Sequence, residues 1–297
     1  MIIVKLTGGL GNQMFQYAAA RRLADLRETV LKLDLTILQS IQSDRTPRAY
    51  ELKNLNISAA IATPQEIADI TGLETSWRKS ILRRFNRMLD MKKARPRIIR
   101  ERHFHFDPEI LNTPDNSYLE GYWQSERYFM DVSDLLQKEF TFKLPLSGAN
   151  LTLAQEIEAV NSISLHVRRG DYVSNKVVIN KHGVCSLDYY RCCVANLIDK
   201  VADPHFYIFS DDPEWVRENI SLPFKVTFVR NNGIDKGYED LRLMSLCRHN
   251  IIANSTLSWW GAWLNMNPGK IVFAPQNWFA DTSIDTSDLI PEKWIKL

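Results

Sequence analysis

Residues 162–173 read SISLHVRRGDYV, and the fold class follows from this stretch outward. Residues 162–167 alternate as in a buried β-strand. Charged and aromatic side chains then crowd the point where that strand would end: His166, Arg168, Arg169, Asp171 and Tyr172. In open α/β sheets, ligands bind beyond the carboxyl ends of the strands. The stretch therefore predicts an α/β sheet with a ligand site at its edge.

The second half of the chain continues as an alternation of strands and helices. Strand-like apolar runs occupy residues 163–167, 206–210, 225–229, 250–254 and 270–275. Helical patterns lie between these runs, at residues 187–202, 212–219, 238–247 and 256–265. Such an alternation predicts βαβ units and a parallel sheet that is covered on both faces.

The first half begins in the same way, with a strand MIIVKL, a glycine turn TGGLGN and an amphipathic helix QMFQYAAARRLADL. Residues 143–154 (KLPLSGANLTLA) carry Pro, Ser, Gly and Asn between two organised halves, a composition typical of a linker. The sequence thus predicts two Rossmann-like α/β domains facing each other across a cleft. The N-terminal domain covers 1–145 and the C-terminal domain covers 155–297.

Composition excludes several classes of protein. The 297 residues include 37 basic and 35 acidic side chains, a formal charge of +2, which argues against a general nucleic-acid binder. No apolar run has the length of a membrane span, and the first residues lack the pattern of a signal peptide. The four cysteines show no paired CxxC spacing, which argues against a zinc site or a disulfide framework. We expect a cytoplasmic protein.

Residues 78–102 are an exception to this charge balance. They hold eleven Lys or Arg against two acidic residues, a local charge of +9 that leaves −7 for the remainder. Apolar residues recur at helical spacing over 77–89, so a basic amphipathic helix is predicted there. Such a helix either docks on its own domain with a solvated basic face, or lies on an anionic membrane surface through residues 77–102. The second alternative would place the protein at the inner face of the membrane.

The two adjacent arginines at the end of the predicted strand favour an anion site. A guanidinium binds phosphate through two parallel hydrogen bonds and keeps its charge. Gly170 allows a close approach of the backbone, and Asp171 either orients an arginine or accepts a proton. The alternative is a pair of surface salt bridges, which contribute little. Asp171 alone is not enough to pair both Arg168 and Arg169.

Three other segments show related patterns. GGLGN (8–12) joins a strand to a helix N-terminus, either as a tight turn or as an anion site, and it lacks the GxGxxG spacing. Ser255 and Thr256 follow a strand at a helix start, where their hydroxyls serve as a cap or as phosphate donors. FSDD (209–212) ends another strand with two carboxylates, of which Asp212 has the position of a helix cap.

Five motifs together resemble the inverting α-1,2-fucosyltransferases of bacteria. In chain order they are GGLGNQMFQYA, LEGYWQSERYF, HVRRGDY, FSDDPEW and IIANSTLSWWGAWLN. The resemblance extends from residue 6 to about 295. It implies a GT-B architecture, GDP-fucose as the donor substrate and no metal or other cofactor. The implied acceptor is a galactose-terminated oligosaccharide or lipid-linked glycan.

The resemblance also implies roles for individual residues. His166, Arg168 and Arg169 match the motif in which the first arginine binds the β-phosphate of the donor. Guanine recognition falls on Asp211 or Asp212, and pyrophosphate binding on Ser255 and Thr256. The glycine turn, with Gly9, Gly11 and Asn12, is placed near the nucleotide sugar. Glu120, Trp123 and Gln124 are the candidates for acceptor binding.

The resulting hypothesis is transfer of L-fucose from GDP-fucose to the 2-hydroxyl of a terminal β-galactoside, with Arg168 and Asp171 as the catalytic residues. Arg168 would stabilise the charge that develops on the leaving phosphate. Asp171, Glu120 and Asp240 are the carboxylates considered as proton acceptors. The alternatives are a fucosyltransferase with another acceptor or linkage, and a non-catalytic module that binds GDP-sugars or glycans.

Overall fold

The computed structural model describes residues 1–40, 48–72, 97–174 and 176–297, which form two compact units. The first unit contains residues 1–50 and 57–139, and the second contains 51–56 and 140–297. Each unit has its own parallel β-sheet with helices. The two-domain α/β class predicted from the sequence is confirmed.

The first unit is built on a five-stranded sheet in the order β3-β2-β1-β5-β4, and every strand pair is parallel. Its strands are β1 (Ile2–Lys5), β2 (Leu31–Asp34), β3 (Ala60–Ile61), β4 (Ile98–Arg100) and β5 (Ser117–Glu120). Its helices are α1 (Leu10–Leu26), α2 (Thr36–Gln39), α3 (Pro64–Thr71) and α4 (Ser133–Glu139).

Helix α1 confirms the helix predicted after the first glycine turn, but it is more buried than an amphipathic surface helix. Most of its residues are buried, including the run Ala18–Ala20, whose small side chains allow close packing. Its buried amides are hydrogen-bonded, since Gln13 Nε2 donates to the carbonyls of Gly8 (2.9 Å) and Ala49 (2.8 Å).

The second unit is built on a six-stranded sheet in the order β11-β10-β9-β6-β7-β8, again with parallel pairs throughout. Its strands are β6 (Asn161–Val167), β7 (Pro204–Ser210), β8 (Lys225–Phe228), β9 (His249–Ile251), β10 (Val272–Ala274) and β11 (Ile295–Lys296). Its helices are α5 (Gly148–Ala159), α6 (Gly170–Ser174), α7 (Lys176–His182), α8 (Leu187–Ile198), α9 (Pro213–Asn219), α10 (Gly237–Leu246) and α11 (Thr256–Leu264). All the strands and helices predicted for this half are present.

Two tryptophans of α11 fill the core of the second unit. Trp259 and Trp260 are fully buried, and their rings meet edge to face at 5.0 Å. The indole N–H of Trp259 donates to the carbonyl of Leu289 at 2.9 Å. These side chains therefore pack the core and are not available to stack on a sugar.

The linker predicted over 143–154 differs from the structure. Residues 148–154 are the first part of α5, whose Leu153, Ala154 and Ile157 pack against the sheet and α10. The division between units falls earlier, between Glu139 and Phe140. The Ser and Gly residues thus mark the start of a helix, because Ser147 stands at its N-cap position.

Residues 51–56 belong to the second unit because their backbone is paired with residues 141–143. The backbone N–H of Asn56 donates to Thr141 (2.9 Å), and that of Lys143 donates to Asn54 (3.0 Å). An isolated antiparallel bridge joins Leu55 to Phe142. These long-range backbone contacts have no signature in the local sequence.

The predicted basic helix over 77–89 lies outside the described residues, as does most of the proposed membrane-contacting segment 77–102. The described end of that segment contains strand β4. Within the described ranges, no helix is both long enough and apolar enough to span a membrane.

Candidate active site

The carboxyl edge of the second sheet brings together the predicted donor-binding residues of the second unit. Strand β6 lies between β7 and β9, and the chain leaves it in one direction through β7 and returns on its other side at β9. Such a reversal of strand order opens a crevice at the carboxyl ends of the central strands. Residues 168–172, 211–212 and 254–256 follow β6, β7 and β9 at this edge.

Arg168 is held at this edge by a carboxylate and an aromatic ring. Its Nη1 atom lies 2.8 Å from Oδ2 of Asp211, and its guanidinium lies 5.2 Å from the centre of the Tyr172 ring. The side chain is 21% exposed, so it is neither freely solvated nor fully desolvated. Because a guanidinium carries several N–H donors, an ion pair with one carboxylate oxygen does not exhaust its capacity to bind a phosphate.

Arg169 is held in a similar way by the next carboxylate. Its Nε atom lies 3.2 Å from Oδ2 of Asp212, and its guanidinium stacks over Trp215 at 3.7 Å. Its backbone N–H donates to Oδ1 of Asp211 at 2.8 Å. The paired arginines are thus oriented by two carboxylates from the neighbouring strand.

Gly170 has the close approach that the sequence predicted. A Cβ atom at this position would lie 2.3 Å from Oδ2 of Asp211, the oxygen that holds Arg168. Only glycine leaves room for the carboxylate at that point.

The carboxylates of Asp211 and Asp212 are engaged on both oxygens. Asp211 accepts from Arg168 and from the backbone of Arg169, while Asp212 accepts from Arg169 and caps α9 through the N–H of Trp215 (3.3 Å). The predicted helix cap is confirmed. Guanine recognition by either residue stays a prediction, and the observed contacts assign them to positioning the arginines.

His166 is the last polar side chain of β6 before the arginines, and it is buried. Burial, together with the nearby charge of Arg168, lowers the pKa of the imidazole to about 3, so the ring is neutral. Its Nδ1 atom is buried and has no hydrogen-bond partner among the described residues. A buried ring nitrogen without a partner is an unusual group in a folded protein and is suited to a bound ligand.

Ser255 and Thr256 stand at the start of α11, directly beyond β9. Ser255 occupies the N-cap position with extended backbone, but its hydroxyl makes no capping hydrogen bond. The predicted alternative of a Ser255 side-chain cap is therefore wrong. The N-terminus of α11 presents backbone N–H groups and the positive end of the helix dipole at the same edge as the arginines.

Asn254 connects this edge to two other loops. No role was predicted for it from the sequence. Its Nδ2 atom donates to the carbonyls of His182 (3.0 Å) and Trp278 (3.2 Å), and its own carbonyl accepts from the hydroxyl of Tyr172 (3.4 Å). Tyr172 in turn stacks on His182 at 4.9 Å. Tyr172, which lies in the HVRRGDY motif and had no predicted role, thus links Arg168 to Asn254 and His182.

Asp171 lies in the short helix α6, and its side chain is outside the described part of the structure. Asp240, another carboxylate considered as a base, is half-buried and accepts from Nδ2 of Asn232 at 2.8 Å. Burial raises the pKa of Asp240 to about 6, and the nearby Glu239 adds to the shift.

The carboxyl edge of the first sheet has the same kind of strand reversal. Strand β1 lies between β2 and β5, so the GGLGN turn after β1 and the YWQ loop after β5 are adjacent. Asn12 and Gln124 meet there, since Nε2 of Gln124 donates to Oδ1 of Asn12 at 3.0 Å. Two of the predicted site residues are therefore brought together.

The glycine that requires an unusual backbone in this turn is Gly8. Its φ is +78°, and a Cβ would lie 2.4 Å from Nδ2 of Asn12. Gly9 is extended at the N-cap position, and Gly11 is buried in the first turn of α1. The predicted site glycines were Gly9 and Gly11, and Gly8 was not among them.

Trp123 is a correction to the predicted acceptor set. Its side chain is fully buried, and its ring packs edge to face on Tyr128 at 5.7 Å. The face of the indole is therefore not presented to a ligand. The cause is the backbone, since Trp123 has a φ of +57° that turns its side chain into the core.

Glu120 is partly exposed and is paired with two cations, Lys5 (2.7 Å) and Arg100 (2.9 Å). Their hydrogen bonds lower the pKa of this carboxylate, so it is a weaker proton acceptor than an ordinary glutamate. Glu120 remains suited to accept hydrogen bonds from hydroxyl groups, but the hypothesis that it is the base is disfavoured.

The sequence profile of glycosyl transferase family 11 matches residues 1–297. The chain belongs to this family. An α-1,2-colitosyltransferase from Escherichia coli is 32% identical, over 100% of this chain and 99% of that protein. The O-antigen biosynthesis glycosyltransferase WbnK from the same species is 34% identical, over 98% of this chain and 99% of that protein.

The fold is also that of solved fucosyltransferases. A structure of a FUT1 mutant from Arabidopsis thaliana in complex with GDP superposes with a TM-score of 0.51. The alignment covers 93% of this chain and 71% of that one at 13% identity, which supports the shared GT-B fold. The predicted resemblance and fold class are confirmed for this family 11 glycosyltransferase.

The prediction that no metal is required stays untested. Among the described residues, no three His, Cys, Asp or Glu side chains are grouped so as to hold a metal ion.

Proposed function

We propose that the protein transfers L-fucose from GDP-fucose to the 2-hydroxyl of a terminal β-galactoside, with inversion at the anomeric carbon. The observation that carries this proposal is the pair Arg168 and Arg169, held by two aspartates at the strand reversal beside the N-terminus of α11. Membership of glycosyl transferase family 11 supports sugar transfer, and one relative is named for an α-1,2 linkage. The five motifs that resemble α-1,2-fucosyltransferases support the choice of donor and acceptor.

The reaction requires a positive site for a diphosphate leaving group. As the bond between fucose C1 and the β-phosphate oxygen breaks, negative charge grows on the phosphate and C1 gains oxocarbenium character. Arg168 and Arg169 already have fixed orientations, so they stabilise that charge without reorganising. Ser255, Thr256 and the backbone N–H groups of α11 add donors at the same edge.

The neutral ring of His166 provides a further group for the donor. Its buried Nδ1 atom is suited to a hydrogen bond with GDP, and its lowered pKa keeps the imidazole neutral. GDP is the nucleotide bound in the Arabidopsis structure.

The acceptor oxygen attacks C1 from the face opposite the departing phosphate, and its proton must pass to a base. We retain Asp171 as the proposed proton acceptor. Its alternative role, orienting an arginine, is carried by Asp211 and Asp212 in this structure. Inverting transfer requires such an acceptor for the proton of the attacking hydroxyl.

A second donor is favoured by the colitosyltransferase that matches the whole chain. Colitose is fucose without its 3-hydroxyl, so the two donors differ in one hydrogen-bonding group. A site that hydrogen-bonds that hydroxyl rejects the deoxy sugar strongly, whereas a site lined by apolar groups there does not. Comparison of the two GDP-sugars on one protein therefore identifies the donor.

The test uses the purified full chain with lactose, EDTA and either GDP-fucose or GDP-colitose, with detection of GDP and of the trisaccharide. A fucosyl residue α-linked to O2 of galactose supports the proposal, including metal independence. Preferred transfer from GDP-colitose would show that GDP-colitose is the donor. Binding of GDP without any sugar release favours a non-catalytic module.

Arg168→Ala is the decisive variant, with Arg191→Ala as its matched control. Removing a donor that stabilises a developing oxyanion costs on the order of 10²–10³ in rate. Arg191 is an exposed arginine whose carboxylate partner is Asp188, so its loss leaves the rate unchanged. An Arg168→Ala variant with wild-type turnover would refute the mechanism.

A further inference from the structure

The loop that follows β5 presents one aromatic side chain to solvent. Tyr122 is 38% exposed and is the only exposed Phe, Tyr or Trp among the residues that the structure describes. Its neighbour Trp123 is fully buried. The loop therefore directs two consecutive aromatic rings in different ways, one into the core and one outward.

The backbone of this loop is fixed by a half-buried carboxylate. Glu101 accepts from the backbone N–H of Tyr122 (2.9 Å) through Oε2 and from that of Trp123 (2.8 Å) through Oε1. Burial raises the pKa of Glu101, while these two hydrogen bonds lower it. Ordering two adjacent N–H groups with one carboxylate leaves the base of the Tyr122 side chain little freedom.

Further contacts hold the residues on either side. The carbonyl of Gly121 accepts from Nε2 of Gln16 (3.1 Å), and Oε1 of that glutamine accepts from the backbone of Thr7 (3.0 Å). The N–H of Ser125 donates to the carbonyl of Trp123 at 2.9 Å. Only glycine fits at position 121, because a Cβ there would lie 2.5 Å from Cβ of Glu101.

The conformation of Trp123 shows that this arrangement is kept at an energetic cost. A bulky residue with φ of +57° is strained, and strained backbone is concentrated where it positions functional groups. The buried indole N–H of Trp123 also has no hydrogen-bond partner among the described residues. An exposed ring on a rigid loop of this kind is preorganised for a ligand.

The residue that precedes this loop carries an oriented polar group of the kind found in sugar sites. Glu120 immediately precedes the loop and is 33% exposed, with Lys5 and Arg100 holding its two oxygens. Sugar sites combine an aromatic surface with a few oriented polar groups that accept or donate to hydroxyls.

We propose that Tyr122 is the platform on which the terminal galactose of the acceptor stacks, an inference that rests on the proposed function. In β-galactose the axial 4-hydroxyl leaves the C–H groups at C3, C4 and C5 as an apolar patch on one face. Stacking of that patch on the ring leaves the 2-hydroxyl, at another edge of the sugar, available for transfer. Tyr122 thereby sets the acceptor and not the donor.

The test compares Tyr122→Phe, Tyr122→Leu and Tyr122→Ala in the full chain, with Met130→Ala as control. Met130 is an exposed apolar side chain of the same unit, 60% exposed and outside the loop. Initial rates at saturating GDP-fucose give the KM for methyl β-galactoside. Saturation-transfer NMR with GDP present reports contact at H3, H4 and H5 of the galactoside without requiring turnover.

The Ala and Leu variants should raise the acceptor KM roughly tenfold or more, because aromatic contact is lost in both, while Phe and the control stay near wild type. Their kcat and GDP affinity should not change. The NMR contact at H3 to H5 should disappear in the same two variants. The Leu variant keeps apolar bulk in the loop, so it decides the question if the Ala variant folds poorly.

Two results overturn the proposal: a Leu variant with wild-type acceptor KM and NMR contact, or a wild-type protein that shows no contact with the galactoside. Failure of the proposed function gives a different pattern. In that case the wild type contacts the galactoside through Tyr122 but transfers no sugar to it, and the platform stands while the reaction is reassigned.

Discussion

At the scale of single residues, the site depends on carboxylates that hold arginines. Asp211 accepts from the side chain of Arg168 and from the backbone of Arg169, so it positions the two groups that would meet the diphosphate. Charged hydrogen bonds contribute more to stability than neutral ones. A change at Asp211 should therefore disturb both arginines and lower the rate of transfer.

Asp211→Asn tests this role. The amide keeps an acceptor for the backbone of Arg169 but turns an N–H group toward Arg168, so we expect kcat to fall about ten- to a hundredfold. Asp188→Asn is the control, because Asp188 pairs with Arg191 while being 87% exposed. Steady-state kinetics with GDP titrations make the comparison. An unchanged kcat for Asp211→Asn contradicts the positioning role.

The raised pKa of Asp240 predicts how the stability of the protein changes with pH. Its pKa is raised from 3.8 to about 6, mainly by burial, so the folded protein holds this proton more tightly than the unfolded chain. The cost of the buried charge is therefore absent below about pH 4, develops between about pH 4 and 6, and is complete above about pH 6. It amounts to roughly 3 kcal/mol at most.

Asp240→Asn removes that charge and keeps an oxygen that accepts from Asn232. In denaturant unfolding without nucleotide, the variant should be more stable than the wild type at about pH 8, with the difference shrinking toward about pH 4. Equal differences at both pH values would show that Asp240 does not titrate in this way.

At the scale of secondary-structure elements, the junction of β6 and α6 depends on Gly170. A Cβ there would lie 2.3 Å from Oδ2 of Asp211, so Gly170→Ala displaces the carboxylate that holds Arg168. We expect roughly a tenfold loss of kcat or more. Gly233→Ala is the matched control, since no atom lies within 4 Å of its added Cβ. Enzyme assays and thermal unfolding of both variants separate lost activity from lost stability.

The elements that the sequence predicted are those with a strong local pattern. Continuous apolar runs such as 206–210 are buried on both faces of a parallel sheet, so their hydrophobicity identifies them without tertiary information. Strand β11 has two residues, and its pairing with β10 depends on long-range contacts. The linker was misplaced because Ser147 and Gly148 are equally typical of a loop and of a helix start.

The site residues that could be predicted from the sequence are likewise those with a distinctive local pattern. The motif predicted Arg168, Arg169 and Gly170, because their residue types have few other uses at a strand end. It did not identify Glu101 as the anchor of the loop after β5, since that contact joins residues far apart in sequence. The burial of Trp123 likewise follows from a positive φ that sequence pattern does not reveal.

At the scale of the whole molecule, each of the two units has a strand reversal in its sheet, and ligand binding is predicted at the carboxyl edge of each. The second unit contains the arginines and the N-terminus of α11, and the first contains the GGLGN turn and Tyr122. If donor and acceptor divide between these edges, each ligand should protect different segments of the chain from hydrogen exchange.

Hydrogen exchange measured by mass spectrometry tests this division. GDP alone should slow exchange at residues 168–172 and 254–256, because its phosphates engage backbone N–H groups there. A non-hydrolysed GDP-fucose analogue should add protection at 8–12, the turn predicted to lie near the donor sugar. Galactoside added with GDP should protect 121–125. Arg168→Ala should lose the first of these effects, whereas protection of 121–125 by GDP alone would contradict the assignment of that loop to the acceptor.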